Sequence, residues 1–291
     1  MPATARPTVA FDVTPLLGVR TGIGNAVAEM YAALQGLDAA PDLVPYTLSL
    51  RARQMREDVP SDTRFVPLPA RGLLKAWARA NTPRIDRWIT PARVVHATNY
   101  LAPATRLPTV VSVYDCSFVR YPELCTPEVL AFVPILRRAI ERGATVHTTS
   151  EFVATEIEEA FGARRRDGKL VVVPLGVPPL GTEAAMPADL RDELDGAPYV
   201  LAVGMLEPRK NFPHLIGAFG ALAASHPELR LVIVGPDGPA RPSVERAVER
   251  LPAAVRPRVL LPGAVDNLAR RALLDAAAVL AYPSIYEGFG F

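Results

Sequence analysis

The sequence predicts an α/β protein of two tandem Rossmann-like domains with parallel sheets, the second incomplete at its C-terminus. Three observations predict it. Apolar runs of strand length alternate with stretches of helical spacing, the rhythm of a sheet wound with crossover helices. Several of these runs, such as KLVVVPLGV and LRLVIVG, are apolar along most of their length, as parallel strands covered on both faces are. The rhythm breaks once, over a segment rich in Pro, Gly, Ala and acids, and then restarts.

TVAFDV opens the chain as the first strand. A helix is expected from Ile23 to Leu37, where Ile23, Val27, Met30, Tyr31 and Leu34 keep helical spacing. Strands follow at Arg93–Thr98, Thr109–Asp115, Thr145–Ser150 and Lys169–Val177, with helices at Pro127–Glu141 and Glu151–Phe161. Ser150 is placed to cap the second of these. This makes residues 1–178 the first domain. Residues 179–196 read as a linker with a short helical piece. The second domain, 197–291, restarts with YVLAVG and continues through a helix at Pro213–Ala224, the strand Leu229–Gly235 and a helix at Pro242–Leu251. The strand Val259–Gly263, a helix at Asp266–Ala277 and the strand Ala278–Ser284 complete it. The sequence ends at EGFGF, where another helix should begin, so a truncated second domain is expected.

Composition narrows the function. With 291 residues, 49% of them apolar, the chain can bury two ordinary cores. A net charge of +2 is too small for a nucleic-acid partner, which usually leaves a basic stripe. Two cysteines make no disulfide framework or zinc pattern, which points to a reducing, cytoplasmic setting. MPATARPTVAFDV lacks the apolar core of a signal peptide, and no run approaches a membrane span. Arg71–Trp88 mixes Arg, Lys and Trp. Both a peripheral contact with an acidic lipid surface and an ordinary solvated helix fit it. No metal-ligand cluster and no G-x-S-x-G elbow occur.

Ligands of doubly wound sheets sit at the carboxyl ends of strands, and three motifs fall there. In GMLEPRKNFPHLIGAF, which starts at Gly204, Arg209 and Lys210 stand between a strand end and a helix start. Asn211 can cap that helix, and Pro213 suits its first turn. Two cations beside the positive end of a helix make an anion site. The plain alternative is a solvated pair with Glu207 bridged to one of them. In LLGVRTGIGN, Gly18, Gly22 and Gly24 lie between the first strand and its helix. They suit a phosphate or sugar loop or a merely flexible turn, and Val27 stands where a dinucleotide fingerprint needs its third glycine. In PSIYEGFGF, Glu287 can accept from sugar hydroxyls and Gly288 and Gly290 can offer N–H groups; a turn facing water is the alternative. Asp115 ends a strand after Tyr114 and suits either a substrate hydroxyl or a turn. His96 reads as structural.

In this order and spacing, these motifs resemble those of the retaining glycosyltransferases of family 4, which have the GT-B fold. LLGVRTGIGN is similar to the family's N-terminal glycine loop, and VVSVYDCSFVRYPELC to its acceptor-side segment. TTSEFVATEI and KLVVVPLGV resemble the end of the first domain, and YVLAVGMLEPRKNFPHLIGAF and YPSIYEGFGF the two most specific motifs. The resemblance implies sugar transfer from a nucleotide-diphosphate donor to a glycan or lipid-linked glycan, without a metal or other cofactor. It implies that Arg209 and Lys210 bind the diphosphate, that Glu287 contacts the donor sugar, and that Gly22 and Gly24 lie near donor and acceptor. Gly204, Gly288, Phe289 and Gly290 join the donor site, and Asp115 the catalytic set. The second glutamate of the family's E-x7-E motif would fall beyond Phe291. Tyr114 stands where the family often has His, which bears on turnover and donor choice. A mannosyl donor is favoured on the resemblance alone. A non-catalytic nucleotide-sugar or glycan binder is the alternative, and the absent dinucleotide fingerprint argues against an oxidoreductase.

Overall fold

The computed structural model describes residues 6–18, 21–49, 52, 54–67, 70–177 and 183–290. They form two compact units, Met1–Val177 together with Glu287–Phe291, and Pro178–Tyr286.

Among the described residues, the first unit carries strands β1 (Thr8–Asp12), β2 (Asp42–Thr47), β3 (Arg64–Phe65), β4 (Val94–Ala97), β5 (Thr109–Val113), β6 (Thr145–Thr148) and β7 (Leu170–Val172). They pair in parallel in the order β3-β2-β1-β4-β5-β6-β7. Its helices are α1 (Gly22–Gln35), α2 (Ala70–Trp77), α3 (Asp86–Ile89), α4 (Ser117–Arg120), α5 (Pro127–Leu130), α6 (Val133–Glu141) and α7 (Glu151–Phe161). Neighbouring residues of β1 face opposite layers. Phe11 and Val13 pack with Val27 of α1, while Ala10 packs with Trp77, Val95 and Ile135. Both faces are dry, which is why these strands read as continuous apolar runs.

The second unit holds α8 (Ala188–Leu194), β8 (Tyr199–Val203), α9 (Phe212–Leu222), β9 (Arg230–Val234), α10 (Arg241–Glu249), β10 (Val259–Gly263), α11 (Asn267–Ala276) and β11 (Val279–Leu280). Its parallel sheet runs β10-β9-β8-β11. Ala202, Leu231 and Ile233 pack against Ile216 and Phe219 on one face. Leu201, Val232 and Val234 pack against Leu190, Leu194 and Leu273 on the other. Arg258 ties the far end of α9 by donating to the carbonyls of Ala223 (3.0 Å) and Leu229 (2.9 Å), with its guanidinium over Phe219. Cations suit a helix C-terminus because they complement its exposed carbonyls.

The structure departs from the sequence reading at definite points. β2 and β3 were not expected. Pro45 argues against a central strand, yet it sits in β2. Tyr46 gives its carbonyl to β1 through Val13, so Pro45, one residue away, faces the β3 side. There β3 meets only Tyr46 and Thr47, and the missing N–H removes no ladder bond. The helix expected over 127–141 is split into α5 and α6. Pro134, at the start of α6, has no N–H for the carbonyl of Leu130. Within the segment expected as a linker, α8 buries Leu190 and Leu194 in the second unit, each worth roughly 1.5–3 kcal/mol of transfer free energy. The end of the chain from Glu287 groups with the first unit, although the sequence reading gave it to the second. In the Arg71–Trp88 stretch, Leu73, Trp77 and Ile85 are buried, and the Trp77 indole N–H donates to the Pro83 carbonyl at 2.9 Å.

Buried polar groups fix the centre of the first sheet. Asp12 ends β1 fully enclosed. Its Oδ1 accepts from the Thr14 N–H at 2.9 Å and from the Thr14 hydroxyl at 2.5 Å, while its carbonyl accepts from the Thr98 hydroxyl at 2.7 Å. The Thr14 hydroxyl oxygen in turn accepts from the Leu48 N–H. These bonds set the direction in which the chain leaves β1. Across β4, β5 and β6, Ser112 Oγ lies 2.9 Å from His96 Nε2 and 2.9 Å from His147 Nδ1, and His147 Nε2 lies 3.2 Å from the Val173 carbonyl. Burial pushes His96 down to about 4, and lowers His147 as well.

Burial pushes the Asp12 carboxyl up to about 6, against the two hydrogen bonds from Thr14. A carboxyl raised on folding favours the protonated folded state. Its contribution is therefore full below about pH 4 and is lost as pH rises through 6, by about 3 kcal/mol. Asp12→Asn keeps an acceptor for Thr14 but does not titrate. Urea unfolding of both proteins from pH 4 to 7 should show wild type losing about 2 kcal/mol relative to the variant, most of the full span. His96 titrates in both proteins and cancels in this comparison. A difference independent of pH would mean that Asp12 is not held in this way.

Close backbone approach is the tightest constraint in the second unit. A Cβ on Gly235 would stand 2.0 Å from the Gly204 carbonyl oxygen, and Gly235 has φ +153. Gly235→Ala should cost at least about 2 kcal/mol. Gly217→Ala, in the interior of α9 with open space around it, should be neutral or stabilising by about 0.5–1 kcal/mol. Denaturant midpoints of the two variants test the contrast.

Candidate functional site

In the second unit, the chain leaves β8 through Gly204 and reaches Arg209 and Lys210 in a single 3-10 turn, Pro208–Lys210. Asn211 closes that turn in the left-handed region at φ 58, which Asn tolerates better than most residues, and α9 begins at once. Asn211 was expected to cap α9. Instead its amide donates to the Pro283 carbonyl at 3.3 Å, and no side-chain cap bond forms. Pro213 does lie in the first turn.

Both cations are held at the carboxyl edge of the sheet. Arg209 Nε lies 3.0 Å from Glu207 Oε2, and Arg209 also donates to the Tyr286 carbonyl at 3.4 Å. Its side chain is 22% exposed, so an incoming anion can still reach it. The Glu207 bridge is the plain reading of the motif, and the guanidinium stays partly exposed beside it. Lys210 runs over Gly204, where a Cβ would lie 3.4 Å from its Cε. Its Nζ donates to the Tyr282 hydroxyl at 3.2 Å and stands 5.1 Å from the centre of that ring. The Ile285 N–H donates to the Arg209 carbonyl at 2.9 Å. The sequence reading gave Tyr282 no role, because inside AVLAYPS it looks like one more apolar strand residue.

In the first unit, Gly22 and Gly24 are not in a loop but form the first turn of α1, and the Thr21 hydroxyl accepts from the Gly24 N–H at 3.3 Å. Among the described residues outside its own turn, none comes within 4 Å of where a Cβ on Gly22 would stand. Gly18 has φ +75, and its N–H donates to Asp58 Oδ2 at 2.9 Å. Asp115 Oδ1 accepts from the Ser117 N–H at 3.0 Å and the Ser117 hydroxyl at 2.8 Å, so the carboxylate starts α4. Tyr114 is buried edge-on to Tyr100, and burial raises its hydroxyl pKa.

The last described residues lie against this group. A Cβ on Gly288 would stand 1.8 Å from the Tyr114 carbonyl oxygen and 2.9 Å from Asp115 Cβ, so only glycine fits. Ser150, besides accepting from the Val153 N–H as the cap of α7, donates to the Gly288 carbonyl at 2.7 Å. Glu287 is half-buried, Phe289 is exposed, and Gly290 has φ +77. Two groups of the expected residues therefore assemble: Gly204, Arg209 and Lys210 in the second unit, and Asp115, Glu287, Gly288, Phe289 and Gly290 in the first. Among the described residues no cluster of His, Cys, Asp and Glu could hold a metal ion, and no helix is long and apolar enough to cross a membrane.

Comparison with known proteins agrees with this architecture. Residues 21–176 match the family model for the glycosyl transferase 4-like domain, and residues 197–291 match that for glycosyl transferases group 1. No curated protein matches the sequence. Among solved structures, sucrose-phosphate synthase from Thermosynechococcus elongatus superposes with a TM-score of 0.67 at 18% identity, over 98% of this chain and 77% of that one. Anabaena HepE in complex with UDP-glucose gives 0.66 at 18% identity, over 97% and 76%. WaaG, a glycosyltransferase involved in lipopolysaccharide biosynthesis, gives 0.64 at 17%, over 96% and 76%. Two parallel sheets in tandem, and family models that together span most of the sequence, place this chain in the glycosyl transferase 4-like family, as a glycosyltransferase of the GT-B fold.

Proposed function

We propose that the chain transfers a hexosyl unit, mannosyl by preference, from a nucleotide-diphosphate sugar to a glycan or lipid-linked glycan with retention of configuration. The observation that carries this is the placement of Arg209 and Lys210 between the end of β8 and the start of α9. In the reaction the bond from the sugar C1 to the diphosphate oxygen breaks, and C1 bonds to an acceptor oxygen on the same face. The departing diphosphate oxygen keeps the electron pair of the broken bond, so negative charge builds on it, and the acceptor hydroxyl passes its proton to that oxygen as the new bond forms. Fixed cations and helix N–H groups meet that charge where it develops. Glu287 accepts from the sugar hydroxyls. A carboxylate offers about four acceptor sites, so Asp115 retains capacity for a substrate hydroxyl beside its bonds to Ser117. Gly204 gives the Lys210 stem room beside the end of β8, while donor-side roles for Gly288, Phe289, Gly290, Gly22 and Gly24 rest on the motif resemblance.

The UDP-glucose bound in the HepE structure supports a nucleotide-diphosphate donor, while the mannosyl preference rests on motif resemblance. The donor set consists of Arg, Lys and helix N–H groups, so catalysis is expected to survive EDTA. Lys75, Arg79, Arg84 and Arg87 are exposed beside the buried Trp77 and Ile85. They support peripheral contact with an anionic cytoplasmic membrane surface, at about 1 kcal/mol per cation near the lipid.

Arg209→Ala with Lys210→Ala should weaken donor binding at least about 100-fold, since each charge-assisted hydrogen bond is worth about 1.5–3 kcal/mol. The unfolding midpoint should hardly move. Calorimetry with GDP-mannose and UDP-glucose, alongside a transfer assay with each, measures both the affinity and the donor. Unchanged affinity removes the role of the two cations. Binding without transfer from any nucleotide sugar selects the non-catalytic reading that Tyr114 raises.

A further inference from the structure

We propose that Tyr282 is a positioning residue for Lys210, seating its ammonium at the carboxyl edge of the second sheet before the donor arrives. The inference rests on the proposed role of Lys210 and adds the residue through which that role is prepared. β11 pairs with β8 in parallel, Val279 opposite Val200 and Leu280 opposite Leu201. The Ala281 N–H extends the ladder by donating to the Leu201 carbonyl at 2.7 Å. Tyr282 is therefore the first residue past the last rung, on a backbone that is already fixed.

Two further bonds tie the loops together: Asn211 to the Pro283 carbonyl and the Ile285 N–H to the Arg209 carbonyl. Between these ties the Lys210 stem crosses the bare α-carbon of Gly204 and reaches both the hydroxyl and the face of Tyr282. The phenol oxygen accepts one of three ammonium N–H groups, and the ring attracts the cation without neutralising it. The two contacts orient the ammonium over the edge of the sheet. Tyr282 is 47% exposed.

The test is a double-mutant cycle on the full chain, read by calorimetry with GDP and UDP as probes. Tyr282→Leu should weaken nucleotide binding roughly two- to fivefold, the range of an exposed cation–π contact. In the Lys210→Met background the same change should have no effect, because Tyr282 acts only through the ammonium. An equal loss in both backgrounds would overturn the proposal. Lys210→Met binding as well as wild type would instead overturn the underlying assignment of Lys210, and binding of neither nucleotide by wild type would overturn both. Should Tyr282→Leu fail to fold, Tyr282→Phe runs the same cycle on the hydroxyl alone under the same criterion.

Discussion

The parallel pairing of β8 with β11 is the constraint on which the chemistry of the second unit depends. Parallel neighbours end on the same edge of a sheet, so whatever follows Val203 and whatever follows Leu280 must emerge side by side. Residues about seventy positions apart in sequence then share one small volume. Asn211 finds the Pro283 carbonyl and Arg209 the Tyr286 carbonyl without either loop having to be long. The strands themselves hold together because both faces are covered. Leu201 and Ala202, adjacent in β8, are buried on opposite sides.

Within that frame the two cations are prepared differently. Arg209 already faces Glu207 at 3.0 Å, with both side chains partly exposed. Such a pair contributes little, about 0–1 kcal/mol. It keeps the planar guanidinium oriented, and under the proposed function it would yield at small cost to a diphosphate, whose oxygens match the fork with two parallel bonds. Lys210 has a long flexible stem and a point charge, so its position must be set by what it lies on. Gly204 provides the space for that stem, and Gly235 allows the backbone of β9 to close against Gly204. The glycines here serve close approach more than flexibility.

Much of this was legible in the sequence because apolar periodicity and strand-end motifs are local signals. All four strands of the second unit, the extent of α7 and its Ser150 cap follow from residues that act on their near neighbours. What was illegible depends on partners far away in sequence. β2 escaped notice because whether Pro45 does harm depends on how far β3 reaches, which nothing near Pro45 records. Asn211 looks like a cap when read alone and becomes a loop tie only because β11 returns beside it. Asp12, enclosed at the end of β1, carries no motif at all, since its burial is decided by the chain folded around it. Gly22 was read as part of a loop because glycine suggests one; Thr21 accepting from Gly24 starts the helix one residue before the expected Ile23.

The row His96–Ser112–His147–Val173 has a consequence for where its hydrogens lie. Both imidazoles are neutral at pH 7, because burial holds their pKa values down. The Val173 carbonyl can only accept, so His147 must carry its hydrogen on Nε2, and its Nδ1 is bare. Ser112 must then point its one hydrogen at His147, which leaves its oxygen to accept from His96 Nε2. One backbone carbonyl thus dictates the tautomer of two histidines and the rotor of a serine across three strands. The row is aligned in one direction, and it gives the middle of the sheet an orientational order that heavy-atom positions alone do not express.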